Sequence, residues 1–237
     1  MEDYMNVLEG IDSYTKYVKN NPYVYAIQKL GIEVFLRYIS SNNLNIEIGD
    51  IQNSMIDKLL LYWIPKHQRY LSEVEAYQVV YTIHDLYNYL LKSDDKVQEE
   101  NAPALLDLYG EEYMRVYRIR NMLLKMTKDP VIATNPIVID LNNYKTKKKK
   151  GGYVEMATTY EQAIFKVQDC KEGGQIILSK IYHDKQYKLL LEYPAYKYFK
   201  KGDLIHAIIK RKLFYVYWEI EELKSYYLPE ALSYFIV

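Results

Sequence analysis

The sequence predicts an α+β protein, with an N-terminal all-helical bundle followed by a small antiparallel β-sheet or barrel domain. Three observations carry this. In the first half, apolar residues recur at three- and four-residue spacing between Asn, Pro and Asp punctuation, the pattern of amphipathic helices. After Asp129-Pro130 the pattern changes to β-branched and aromatic runs with short turns between them. Between the two lies NNYKTKKKKGG, a turn-and-linker composition. The expected organisation is a helical domain over 1–129, a linker with a Lys-rich loop over 130–151, and a β-rich, barrel-like domain over 152–237.

In the helical part, residues 2–19 place Tyr4, Val7, Leu8, Ile11, Tyr14 and Val18 at helical spacing, and Asn20-Asn21-Pro22 closes that run. A second helix is expected over 23–40, with Ile27, Leu30, Val34 and Tyr38 as its stripe and a possible break at Gly31. Asp50 is the expected N-cap of a helix over 51–64 that Pro65 ends. The strongest element is 72–92. Ser72 and Glu75 form a capping box. Ala76, Val79, Val80, Ile83, Leu86, Tyr87 and Leu90 make one apolar face, and Glu75, Gln78, Thr82, Asp85 and Asn88 make the other. A last helix runs over 104–128, with Leu105, Leu108, Met114, Leu123 and Leu124 among its apolar positions. Arg115, Arg118, Arg120, Lys125 and Lys128 lie toward its C-terminus, where the dipole favours cations.

In the second part, a short strand is expected over 137–141. Thr158 with Glu161 offers a second capping box, so 159–170 is expected to be a helix stopped by Gly173-Gly174. Strands are expected over 175–182, 186–193, 203–210 and 213–220, and a closing helix over 228–235 begins at Pro229.

Composition narrows the class. The chain has 237 residues, 49% hydrophobic and 26% charged, ordinary values for a globular protein with a real core. Its 28 tyrosines are spread along the whole chain, which fits A+T-rich coding better than one aromatic surface. Residues 1–129 hold 14 Lys/Arg against 19 Asp/Glu, and residues 130–237 hold 17 against 12, so the basic character lies in the second half. A single cysteine, Cys170, excludes an intramolecular disulfide framework and a multi-cysteine zinc site. The amino terminus is acidic, without an apolar signal core, and the longest uncharged run is ten residues, Pro130–Ile139, against the roughly 20 that span a bilayer. A cytoplasmic protein with no membrane partner is the expectation.

No nucleotide-binding glycine motif, HExxH or GxSxG is present, so no cofactor is expected. His67, His84, His183 and His206 are widely separated, and no metal site is expected from them. His84 reads as packed or capped, His206 as a packed or rim position, and His183-Asp184 as a turn. Glu219, Glu221 and Glu222 cluster after FYVYW, which reads as a solvated edge rather than a catalytic pair. Cys170 shows no activating base. Catalytic residues: none are expected, and the chain reads as a non-enzyme.

The feature that points to function is the basic set Lys147, Lys148, Lys149, Lys150, Lys197, Lys200, Lys201, Lys210, Arg211 and Lys212, all in expected loops or turns. Tyr193, Tyr196, Tyr198 and Phe199 are interleaved with some of them. Small barrels bind nucleic acid by combining cations with stacking aromatics. The plain alternative is that strand ends are where lysines collect. The functional expectation is a non-catalytic bacterial-type binding protein that contacts nucleic acid through these loops. The alternative is a protein–protein adaptor that uses the helical domain as its groove.

The helical stretch VFLRYISSNN, NIEIGDIQNSMIDKLLLYW and LSEVEAYQVVYTIHDLYNYLL is similar to the SAM-like core-binding domain of tyrosine recombinases. Phe35, Tyr38, Asp50, Leu71, Ser72, Tyr87, Tyr89 and Leu90 carry the likeness over about 60 residues. The resemblance implies a helical bundle. It does not bring recombinase catalysis, because no histidine here has Arg three residues on. FKKGDLIHAIIKRKLFYVYWEIEELKSYYLPEALSYF resembles the end of SH3-like barrels of uncharacterised bacterial proteins, with a Gly-Asp turn, a Trp-containing strand and a Tyr-Leu-Pro closure. It brings no activity.

Overall fold

A computed structural model describes residues 6–42, 47–48, 51–93, 105–128 and 157–235. The linker 130–151 with Lys147, Lys148, Lys149 and Lys150, the expected strand over 137–141, and Asp50 lie outside the described residues. Two compact units divide the chain, Met1–Arg118 with Ser233–Val237, and Ile119–Leu232.

The helical unit begins with α1, Val7–Lys19, opened by an Asn6–Glu9 capping box that the sequence reading did not single out. Asn21-Pro22 closes one helix and starts the next. Asn21 Oδ1 accepts from Tyr23 N at 3.1 Å, and Pro22 takes the first helical position of α2, Pro22–Ser41, where its missing N–H costs nothing. The buried face of α2 is Gln28, Gly31, Ile32, Val34, Phe35, Tyr38 and Ile39, while Ile27 is 46% exposed, so the real stripe is rotated from the expected one. Gly31 does not break the helix. A Cβ there would lie 2.3 Å from Thr82 Cβ, so glycine is what lets α2 approach the helix opposite it.

The next helix is interrupted rather than ended. It runs as α3, Asn53–Lys58, a π-helical turn, Leu59–Trp63, and α4, Ile64–His67. Pro65 was expected to stop it, but Pro65 sits in the first turn of α4. The π turn pairs Ile64 N with Leu59 O and so absorbs the proline's missing donor. Gln52 takes the cap position, without a side-chain cap bond.

Helix α5, Glu73–Ser93, forms as the sequence dictates. Ser72 N donates to Glu75 Oε2 at 2.7 Å, and Glu75 N donates to Ser72 Oγ at 3.2 Å. Its seven stripe residues, from Ala76 to Leu90, are all buried. Burying each large aliphatic contributes about 1.5–3 kcal/mol. The polar face is partly covered too. Thr82 is buried against Gly31, and Asp85 accepts from Gln28 Nε2 at 2.8 Å, so α2 packs antiparallel on this side of α5. Helix α6, Leu105–Lys128, buries Tyr113, Val116, Tyr117, Ile119, Arg120 and Leu123. Arg120 is therefore a core residue and not a solvated cation near the C-terminus. Arg118 pairs with Glu73 at 2.8 Å.

In the second unit, five antiparallel strands form one sheet in the order β3-β2-β1-β4-β5. They are β1, Thr158–Lys171, β2, Gln175–Lys180, β3, Gln186–Leu190, β4, Leu204–Lys212, and β5, Glu219–Tyr227. The sheet is not closed into a barrel. Its edges meet in a single isolated bridge, Leu189–Trp218. The helix expected over 159–170 is instead β1. Phe165 and Val167 are buried while Ile164 and Lys166 are half-buried, a period of two, and the β-branched Thr158, Thr159, Ile164 and Val167 favour the strand. Glu161 does not cap anything; it pairs with Lys180 and Lys185. The strand expected over 213–220 is mostly turn, and β5 begins at Glu219. The closing helix is a 3-10 turn, Pro229–Tyr234. At the start of β4, Asp203 is fully buried. Its Oδ2 accepts from Lys200 N at 2.9 Å and from the Tyr226 hydroxyl at 2.6 Å, which pins the Gly202-Asp203 turn. Among the described residues, no helix is long and apolar enough to cross a membrane.

Candidate functional site

Strand β4 decides where the basic residues go. Lys197 lies in a 3-10 turn before it, Lys200 and Lys201 precede its first residue, and Lys210, Arg211 and Lys212 end it. Six strand residues, Leu204 to Ile209, lie between the two groups, which at about 3.3 Å per residue sets them roughly 20 Å or more apart. The structure thus splits the six described cations into two clusters at opposite ends of one strand. Near the first cluster, Lys197 Nζ lies 4.7 Å from the centre of the exposed Tyr193 ring. Phe199 is 5% exposed and packs on Tyr226 with ring centres 5.6 Å apart, so it is a core residue and offers no stacking surface.

Two members of the second cluster, Arg211 and Lys212, are built into a concavity of about 520 Å³. Its residues arrive from three strands. In β4, Ala207 and Ile209 face the core, and Arg211 continues their register beyond it. The Arg211 guanidinium lies 5.0 Å over the Trp218 ring. Lys212 follows, 5.9 Å over Tyr215. From β1 comes Thr159, paired with Arg211 across the ladder. From β3 come Gln186 and Lys188, on the face opposite the buried Tyr187 and Leu189. Trp218 N donates to Lys188 O at 2.8 Å and draws the β4–β5 turn against that edge. The concavity exists because the sheet stops short of closing, so its edges form a cleft and not a ladder.

The turn itself, Leu213 to Tyr217, is aromatic and half-exposed to exposed. Phe214 is at φ +77°, a left-handed conformation that a bulky side chain adopts at a cost of about 1–3 kcal/mol. Three cations, Lys188, Arg211 and Lys212, line the concavity beside Phe214, Tyr215 and Trp218, and no carboxylate lies among the described lining residues. The core behind it is aromatic: Tyr187 meets Trp218 at 5.2 Å and Phe165 at 5.3 Å, both edge to face.

The neighbouring ionic groups are already matched. Glu161 takes 2.6 and 2.7 Å hydrogen bonds from Lys180 and Lys185, which hold its carboxyl down at about 2. Lys210 pairs with Glu221, which raises its ammonium above the ordinary value. Lys210 faces a separate cavity of about 110 Å³ with Glu192, Glu219 and Glu221, so it does not join Arg211 and Lys212. Glu222 lies 3.8 Å from Lys224, and the three glutamates form no isolated carboxylate pair.

His84 lies 3.2 Å from Asn88 Nδ2 on α5, His183 is exposed between β2 and β3, and His206 is half-buried on β4. Burial lowers His67 first, with Lys66 and Arg69 adding to the effect. Cys170 is half-buried on β1. Among the described residues, no group of three or more His, Cys, Asp or Glu is arranged to hold a metal ion. Sequence reasoning found Arg211 and Lys212 but missed Lys188, Phe214, Tyr215 and Trp218 as their companions. The missed signal is the run KRKLFYVYW, in which cations pass directly into aromatics.

No protein-family model, curated protein or solved structure matches the chain.

Proposed function

We propose that the protein is a non-catalytic nucleic-acid-binding protein that holds phosphates in the cleft between the β4–β5 turn and β3. The observation supporting this is the lining: Lys188, Arg211 and Lys212 with no carboxylate among them, beside half-exposed rings. Unmatched cations in a concave surface attract phosphate, and an arginine can grip it with two donors. Lys197, Lys200 and Lys201 would add a second, more distant contact. Lys147, Lys148, Lys149 and Lys150 belong to the same reading on their sequence alone.

Fluorescence anisotropy of labelled DNA and RNA as salt is raised tests it. Log affinity should fall linearly with log salt, and Lys188→Ser, Arg211→Ser and Lys212→Ser together should flatten the slope by roughly 0.7–0.9 per lost phosphate contact. These positions are exposed, so folding should change by about 0.5 kcal/mol or less at each. A folded wild-type protein that shows no binding at low salt ends the proposal.

A second reading, the protein–protein adaptor, has its own support. Val74, Tyr77 and Tyr81, 64%, 38% and 40% exposed, share one outer stripe of α5, with Tyr70, 85% exposed, just ahead of them. A partner held there would stay bound at high salt, where phosphate contacts are screened away.

A further inference from the structure

The cleft does more than collect phosphates, because its rings are held out at a cost. Phe214 keeps a half-exposed ring on a backbone at φ +77°, although an aromatic gains by burial and avoids that conformation. Strain kept at one loop position marks a place where the side chain's direction matters. Here it sets an aromatic face beside Tyr215, two residues after Lys212 and three after Arg211. Cations therefore pass directly into rings along one short stretch, which puts both kinds of group within reach of one ligand. A double helix offers such a stretch only its phosphates, because its base faces are stacked inside. An unpaired strand offers phosphates and base faces in alternation. The volume, about 520 Å³, is that of a site for a small organic group, not for a duplex.

Resting on the phosphate reading above, we infer that the cleft is selective for single-stranded nucleic acid, with a base stacked on Phe214 or Tyr215 and the flanking phosphates on Arg211, Lys212 and Lys188.

The test uses the full chain at low salt with three labelled probes: an oligothymidine of about 12 nucleotides, a hairpin duplex and an abasic strand of the same charge. The expected result is at least about tenfold tighter binding of the oligothymidine than of the other two. Phe214→Gly, which suits the left-handed backbone, should weaken oligothymidine binding by roughly 5- to 150-fold, weaken abasic-strand binding much less and not lower the melting temperature. If that variant folds poorly, Phe214→Asn, which also tolerates this conformation, replaces it. Equal binding of all three probes, or an unchanged Phe214→Gly affinity for oligothymidine, overturns the inference and leaves phosphate binding standing. Binding of none of the probes overturns both.

Discussion

Two polar clusters, one in each unit, differ in a way that separates structure from candidate site. In the helical unit, Tyr14, Gln28 and Asp85 close on themselves. The Tyr14 hydroxyl lies 2.6 Å from Asp85 Oδ2 and 2.9 Å from Gln28 Oε1, and Gln28 Nε2 donates to the same carboxylate at 2.8 Å. Tyr14 and Gln28 are each 1% exposed, and burial, then Asp85, pushes the phenol up so that it stays a donor. In the sheet unit, Glu161 is likewise claimed by two lysines, but Lys188, Arg211 and Lys212 beside it meet no lining carboxylate. A cluster whose donors and acceptors are spent on one another fixes packing. One with cations and rings left facing a cleft is equipped to take something from solution.

The largest effect should come from the wall that the cleft shares with the core. Trp218 is 5% exposed, meets Tyr187 at 5.2 Å and lies under Arg211. Trp218→Ala should lower the stability of the sheet unit by about 3–5 kcal/mol, read by denaturant unfolding of the full chain. Loss of binding with no loss of stability would move Trp218 from the core side of the comparison to the ligand side.

Next in size is the closed cluster. Asp85→Ala leaves the Gln28 Nε2 donor without its acceptor in the interior and the Tyr14 hydroxyl with Gln28 Oε1 alone, and should cost about 1–3 kcal/mol. Asp85→Asn keeps an oxygen acceptor and should recover part of that. Neither should alter nucleic-acid affinity in protein that is still folded. A binding defect at full stability would erase the distinction between the two clusters.

How much of this was legible depended on how local the determinant is. The α5 capping box and stripe need only neighbours within four residues, and they formed as read. That α2 covers part of the polar face of α5 was not legible, because Gly31 lies some fifty positions away and its lack of a side chain is what brings α2 over Thr82. Segment 159–170 satisfies both a helical and an alternating pattern. The pairing of β1 with both β2 and β4 decides between them, and a single strand does not carry that information. FYVYW reads as a strand by propensity, yet the chain turns there, with φ positive at a phenylalanine and no glycine to announce it. Arg211 and Lys212 were visible as basic residues at a strand end. Their cleft was not, since Lys188 joins them only when the sheet's two edges meet at Leu189 and Trp218.

The smallest effect concerns the matched pair at the edge of this region. Glu161 is held at about 2, against an ordinary value of 4.5, by hydrogen bonds from Lys180 and Lys185. A carboxyl lowered by folding stabilises the native state above its unfolded value and loses that contribution as protons bind. The stabilisation should be complete above about pH 5 and disappear between there and about pH 2. Lys185 is 59% exposed, so solvent screens the pairing and its worth is near the surface-pair range, about 0.5–1 kcal/mol. Glu161→Gln should therefore lower stability by that amount at neutral pH, and the two proteins should converge on acidification. It should also tighten nucleic-acid binding slightly, because it releases Lys180 and Lys185 as two further uncompensated cations. Weaker binding instead would mean that Glu161 positions those lysines for a ligand, and that the matched group belongs to the site.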